Sequence, residues 1–411
     1  MPSEMFTNPL TPFPEPRPAE EIPARVPVKE CAQKPLTKIE SPVESTSQKK
    51  PAESRRVMQL DFVRGIAILL VMEFHFLTVP IQNPLARAFE FFFKRIGWMG
   101  VDLFFVLSGF LVGGLLIQEL LKARSIRIRR FLFRRMFKIW PAYYFYILFQ
   151  ICVRKHPLET FAWQNILNIQ NYAGTSLNHT WSLAVEEHFY LTLPLALVGI
   201  YKVRRLRPWI PHILAAVCLL VLSGRLWFVY LLQSPDPQWK THARLDSLLF
   251  GVILSYILYK RERYFEKLLQ KRLLLFLLFA GGLLFSFSQG HGTRMMWSVG
   301  YTINYISLGA LLLLIYGYHG RLTRTWLYRS IAWIGVYSYG IYLWHLAARE
   351  VLSKSVSHLP DSIRWGTLIV SQYAAAIILG VVLTKAIELP MLRLRDRLIP
   401  RGVASPPPQP V

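Results

Sequence analysis

Cysteine is nearly absent, with three in 411 residues. Cys31 falls in a proline-rich terminus and Cys152 and Cys218 in apolar segments, which leaves no disulfide framework and no metal-ligand spacing. No metal site is expected. Acidic residues are also scarce, 24 against 48 Lys and Arg, for a formal net charge of +24. A nucleic-acid reader would gather those cations on one folded patch. Here they fall in short runs between apolar segments, so nucleic acid is not expected as a partner. No internal repeat is evident, and no short apolar core with a cleavage site opens the chain. The first apolar span is therefore expected to act as an uncleaved signal.

What is present is apolar: 53% hydrophobic residues and a mean hydropathy of +0.30. That is too apolar for an ordinary soluble protein and too interrupted by charge for one buried core. Ten apolar segments follow one another, at 60–80, 97–118, 139–153, 179–200, 209–232, 244–259, 273–289, 297–318, 331–352 and 365–384. The reading is an all-α polytopic membrane protein with about ten transmembrane helices over residues 55–401, surrounded by membrane lipids. Residues 1–54 hold 11 of the 27 prolines and few aromatics, the composition of a disordered tail; 402–411 reads alike. Alternate connections carry 26 Lys and Arg on one side and 9 on the other. That bias predicts a multi-pass protein of the cell membrane with both termini cytoplasmic.

The first segment, LDFVRGIAILLVMEFHFLTVP, is long enough to cross a bilayer yet contains Arg64, Glu73 and His75. Ionisable groups at such depth cost a few kcal/mol and are functional candidates by default. Arg64 and His75 are eleven residues apart, about 16 Å along one helix face. This suits an anion-holding group near one membrane face and a proton acceptor further across. The plainer alternative is a snorkelling arginine and an interhelical histidine.

Other polar groups punctuate later segments. GVDLFFVLSGFL carries Asp102 and Ser108, for which a bond to the carbonyl one turn back is the simpler reading. The basic run 122–138 ends Arg134-Arg135-Met136-Phe137-Lys138-Ile139-Trp140-Pro141, and most of it is explained by topology and anionic headgroups. NHTWSLAVEEHFYL brings His179, Glu186, Glu187 and His188 to the start of the fourth segment. Adjacent helical residues diverge by about 100°, so the two glutamates cannot both face one cavity squarely. THARLDSLLF supplies Arg244 and Asp246, for which a structural ion pair competes with acceptor contact. IGVYSYGIYLWHLA supplies His345, with the same two readings.

These strings, in this order, resemble the acyltransferase type 3 family of integral membrane O-acyltransferases. LDFVRG with His75 ten residues beyond Arg64 is similar to the family's opening LDGLRG pattern, with Phe62 and Val63 in place of Gly-Leu. GVDLFFVLSGFL, WSLAVEEHFYL, YSYGIYLWH and the closing Glu388, one residue, Pro390 resemble further family strings. In the basic run Lys138 stands where the family has Arg. The resemblance implies a cytoplasmic cationic site for an acyl donor, with acyl-coenzyme A as co-substrate and no bound cofactor.

Together these readings predict transfer of an acyl group, acetyl first, from a cytoplasmic donor to a hydroxyl of an extracytoplasmic carbohydrate or related acceptor, as in polysaccharide O-acetylation. His75 is the expected general base. Glu186 or Glu187 is expected to orient its imidazole, and Arg64, Arg135 and Lys138 to hold donor phosphates. No Ser or Cys sits in a strong nucleophile motif, so direct transfer is expected rather than an acyl-enzyme. Asp102, Arg244, Asp246 and His345 are expected near the acceptor or in structural pairs. The rival reading is a secondary transporter, since intramembrane charges also mark ion pathways.

Overall fold

The computed structural model describes residues 57–76, 81, 83–154, 158–233, 237–353 and 360–400; the tails expected at 1–54 and 402–411 lie outside the described residues. Among the described residues all regular structure is helical, without a strand. The chain begins with α1 (Met58–His75), α2 (Pro84–Ile96), α3 (Met99–Ala123) and α4 (Ile128–Cys152). Two one-turn helices, α5 (Trp163–Ile166) and α6 (Gln170–Ala173), lead into α7 (Trp181–Lys202), and α8 (Ile210–Leu226) follows. Next come α9 (Thr241–Lys260), the short α10 (Glu262–Gln270), α11 (Arg272–Gln289) and α12 (Tyr301–Tyr316). The last are α13 (Trp326–Val336), α14 (Ser338–Ser353), α15 (Asp361–Leu383) and α16 (Leu389–Leu398).

Seven helical stretches among the described residues are long and apolar enough to cross a membrane: Met99–Ala123, Asn178–Lys202, Arg204–Leu231, Thr241–Lys260, Arg272–Gln289, Met296–Tyr316 and Ile363–Leu398. The expected count of about ten is not reached by that measure, and the three shortfalls have separate causes. α1 is 18 residues long but carries Asp61, Arg64 and Glu73. The expected connection before 139 is largely helical, so α4 runs 25 residues with a strongly cationic first half. The expected single span 331–352 breaks at Tyr337 into α13 and α14.

Small residues bring helix axes close, as they do where no water drives association. A methyl group at Gly109 of α3 would strike the backbone of Leu248, and one at Gly251 of α9 would strike the Val106 carbonyl. α1 and α13 meet the same way, Gly65 against Ile331 and Gly335 against the Asp61 carbonyl. At this crossing Phe62 stacks flat on Tyr328, ring centroids 3.8 Å apart. The bulk of Phe62 is thus taken up between α1 and α13.

Near the end, Pro390 has no amide hydrogen to give the carbonyl four residues back. The chain widens into a π turn over Thr384–Glu388, which buries Thr384 and Glu388. α2 is strongly amphipathic, exposing Leu85, Phe89 and Phe91, and the Asn83 side chain accepts from the amides of Leu85 and Ala86 at its start.

Candidate functional site

Four helices, α1, α4, α7 and α14, share one hydrophobic cluster and carry polar groups along their facing sides. The groups gather at two ends of a seam.

One end is a histidine cluster. His75 closes α1, partly exposed, with Nδ1 2.9 Å from the Val71 carbonyl oxygen. The same Nδ1 lies 3.3 Å from Nε2 of His345, whose own Nδ1 is 2.6 Å from the Tyr342 carbonyl oxygen. His345 is fully buried. His179, also buried, meets its ring edge-on with centroids 5.5 Å apart. The Tyr342 hydroxyl donates to the His179 carbonyl at 2.6 Å and lies 2.5 Å from Ser182 Oγ, tying α14 to the start of α7. Spacing explains the convergence, because residues three apart on a helix share a face. Tyr342 and His345 obey that spacing, as do His179 and Ser182.

Cations secure the end of α1, where backbone carbonyls lack helical partners. Arg349 donates to the His75 carbonyl at 2.8 Å, and Lys94 to the Phe76 carbonyl. Burial holds the Lys94 ammonium below the usual lysine range, with Glu73 and Glu90 pulling it back up. Glu73, buried on α1, accepts from the Tyr373 hydroxyl at 2.7 Å. His291, beside Phe74 and Trp98, is lowered to about 4 by burial and then by Arg244, so it flanks the cluster as a neutral ring.

The other end is cationic. Arg135 and Lys138, three apart on α4, are half-buried and point toward the seam with Arg64 and Glu186 within electrostatic reach. Neither has a carboxylate at ion-pair distance among the described residues. Arg64 is paired with Asp61 one turn earlier. Glu186 accepts from the Tyr190 hydroxyl at 3.0 Å, which in turn lies 2.8 Å from Ser108 Oγ. Ser108 therefore bridges α3 to α7. The adjacent arginines of the basic run separate by helical geometry: Arg134 reaches Asp396 of α16 at 2.8 Å while Arg135 faces inward.

The glutamates are not at the histidine end. Glu186 lies seven residues beyond His179, about 10 Å further along the chain's helical path. Glu187 is buried and accepts from Trp140 Nε1 at 3.2 Å, with no hydrogen-bond partner for Oε1 among the described residues. The group that meets the His75 imidazole is His345. This was missed because sequence spacing cannot show which helix lies opposite, and α14 returns to α1 only after 270 residues.

Asp102, Arg244 and Asp246 form a buried ionic core among α3, α8, α9 and α12. Arg244 does not take Asp246 as its ion-pair partner; it binds Asp102, which also accepts from Asn304. Asp246 pairs with Arg225 at 2.7 Å, both side chains wholly buried. Arg225 also donates to the carbonyls of Ser298 and Ala243 and to Thr302. Sequence reading passed over Arg225, although a lone arginine inside the apolar 209–232 segment was the available signal. His188 is bonded to Thr241 at 2.7 Å, away from His75. Two apolar clefts of about 280 and 240 Å³ open elsewhere, lined by none of the candidate residues.

Residues 58–388 match the family model described as an acyltransferase domain. The chain is 26% identical to the peptidoglycan O-acetyltransferase OatA of Listeria monocytogenes over 386 residues, 82% of this chain and 56% of that protein. It is 27% identical to a putative O-acetyltransferase of Staphylococcus aureus, over 72% of this chain and 51% of the relative. It is likewise 27% identical to the O-acetyltransferase OatA of S. aureus, over 70% and 49%. The chain spans about half the length of the curated relatives it matches. No solved structure matches it. With four-fifths of its length in the family model, the chain belongs to that acyltransferase family.

Proposed function

From that membership we propose that the protein moves an acyl group, acetyl first among them, from a cytoplasmic thioester donor such as acyl-coenzyme A to a hydroxyl of an extracytoplasmic glycan. One observation carries the reading: the same four helices hold Arg135 and Lys138, two inward cations with no carboxylate at ion-pair distance among the described residues, at one end of a polar seam and His75 at the other. Two neighbouring cations facing a polar seam suit phosphates. Arg64 and His75 stand about 16 Å apart along α1, a separation suited to a donor with phosphates at one end and a thioester at the other. The names of the relatives support acetyl as the group and a glycan as the acceptor, and the Lys and Arg tally supports the sidedness. The transporter alternative is not retained, since the chain belongs to an acyltransferase family.

In this mechanism His75 takes the proton of the acceptor hydroxyl as its oxygen attacks the thioester carbonyl carbon. The carbon–sulfur bond breaks and the acyl–oxygen bond stays, while the phosphates remain with Arg135 and Lys138. The proton held by His75 passes to the leaving thiolate, which departs as the free thiol and returns His75 to its neutral form. Membrane vesicles of opposite orientation test the arrangement. Inside-out vesicles are expected to use acetyl-coenzyme A added to the bulk, whereas sealed right-side-out vesicles are not; equal use by both would contradict it.

A further inference from the structure

Carbonyl oxygens can only accept hydrogen bonds, and this fixes the protons of the histidine cluster. Nδ1 of His345, 2.6 Å from the Tyr342 carbonyl, must carry hydrogen. In the neutral ring its Nε2 is then a bare acceptor. Nδ1 of His75, 2.9 Å from the Val71 carbonyl, must likewise carry hydrogen. The one Nδ1 hydrogen of His75 is therefore shared, with the shorter contact to the Val71 carbonyl and the longer, 3.3 Å, to the bare Nε2 of His345, which accepts. The reverse would set an imidazolium against a ring nitrogen whose lone pair faced a carbonyl oxygen.

We infer that His345 is the positioning residue of His75, accepting from its Nδ1–H so that the bare Nε2 is presented to the acceptor hydroxyl. The inference rests on the proposed role of His75 as base and adds what holds it. The Val71 carbonyl, four residues back on α1, sets the tautomer. His345, fully buried and held by its own bond to Tyr342, sets the rotation of the ring. When His75 takes a proton, its Nδ1–H becomes a stronger donor and His345 shares the positive charge. No carboxylate is hydrogen-bonded to the His75 ring among the described residues, and His345 occupies the position an orienting acid would fill. The carbonyl of His75 is bound by Arg349, so the backbone beneath the ring is fixed as well.

Two variants separate this role from packing. His345→Phe keeps a ring and removes the acceptor, whereas His345→Gln supplies both an acceptor for His75 and a donor for Tyr342. His345→Phe is expected to lower kcat about 10- to 100-fold, by analogy with removal of the partner that orients a metal-bound histidine, with KM for donor and glycan unchanged. His345→Gln is expected to recover most of kcat. Rates are taken per folded protein. A phenylalanine variant within a few-fold of wild type, or equal loss in both variants, would overturn the inference. Should phenylalanine prevent folding, 15N spectra of histidine-labelled wild-type protein decide, with the His75 signals assigned by their loss in His75→Gln. A protonated Nδ1 and bare Nε2 are expected, and a bare Nδ1 would overturn the assignment. His75→Gln also serves as the separate control: if it stays active, the base itself is wrong, whatever His345 does.

Discussion

Arg225 and Asp246 face each other at 2.7 Å with neither side chain exposed. One comes from α8 and the other from α9, and the arginine's remaining donors are met by α9 and by the segment 298–302. Removing one member of such a pair leaves a buried, uncompensated charge, which typically costs about 3–5 kcal/mol, whereas replacing both with apolar groups can be neutral. Arg225→Met alone is expected to reduce folded protein and thermal midpoint sharply. Arg225→Met with Asp246→Leu is expected to recover much of both, read by thermal unfolding in detergent. Equal damage in the single and double variants would mean that the pair has a role beyond mutual neutralisation.

Gly335 and Gly281 offer a test of the packing. A side chain at Gly335 would enter the Asp61 carbonyl of α1, while nothing lies within 4 Å of a methyl group at Gly281. Gly335→Leu is expected to separate α13 from α1 and to lower folded yield and acyl transfer together. Gly281→Leu, in the middle of α11, is expected to be tolerated. Similar yields for the two would contradict the close crossing.

At the cation end the neighbours Arg134 and Arg135 are expected to behave differently. Losing a charge-assisted bond to phosphate costs about 1.5–3 kcal/mol, so Arg135→Ala and Lys138→Ala should each raise the donor KM by about 10- to 100-fold. Lys138→Arg keeps the charge and should stay near wild type. Arg134→Ala loses a tie to α16 instead, and should affect stability with little change in donor KM. A donor titration in membranes checks all four. Unchanged KM in both inward alanine variants would exclude the proposed donor site.

Sidedness is checked by cysteine labelling after the native cysteines are replaced. Ser125, exposed between α3 and α4 in the basic connection, should resist an impermeant reagent added outside when changed to Cys. Asn83→Cys, exposed before α2, should be labelled. The reverse pattern would invert the topology.

Much of this arrangement was legible in the sequence, because an ionisable residue in an apolar segment stands out without any structure. Arg64, His75, Asp102, Arg244, Asp246 and His345 were all visible for that reason. What could not be read was pairing across helices. The partner of Arg244 is Asp102, 142 residues away, and the string Arg244-Leu245-Asp246 gave no hint of it. The glutamates could not be placed from their string alone, because Glu186 lies seven residues beyond His179 and a helix carries its residues about 1.5 Å further per step. The break at Tyr337 was hidden because no proline marks it and apolar residues continue through it. Tyr342 and Tyr190, which organise the two ends of the seam, look like ordinary core aromatics until their hydroxyls are seen to meet Ser182 and Glu186.

The central claim is that His75 is the general base, and His75→Gln tests it most directly. Glutamine keeps hydrogen-bonding capacity but cannot take a proton at neutral pH. A general base contributes about 100- to 10,000-fold in rate, so acyl transfer per folded protein should fall by that range while the protein remains in the membrane at wild-type amounts. Transfer within a few-fold of wild type would contradict the account and reduce His75 to an interhelical contact of His345.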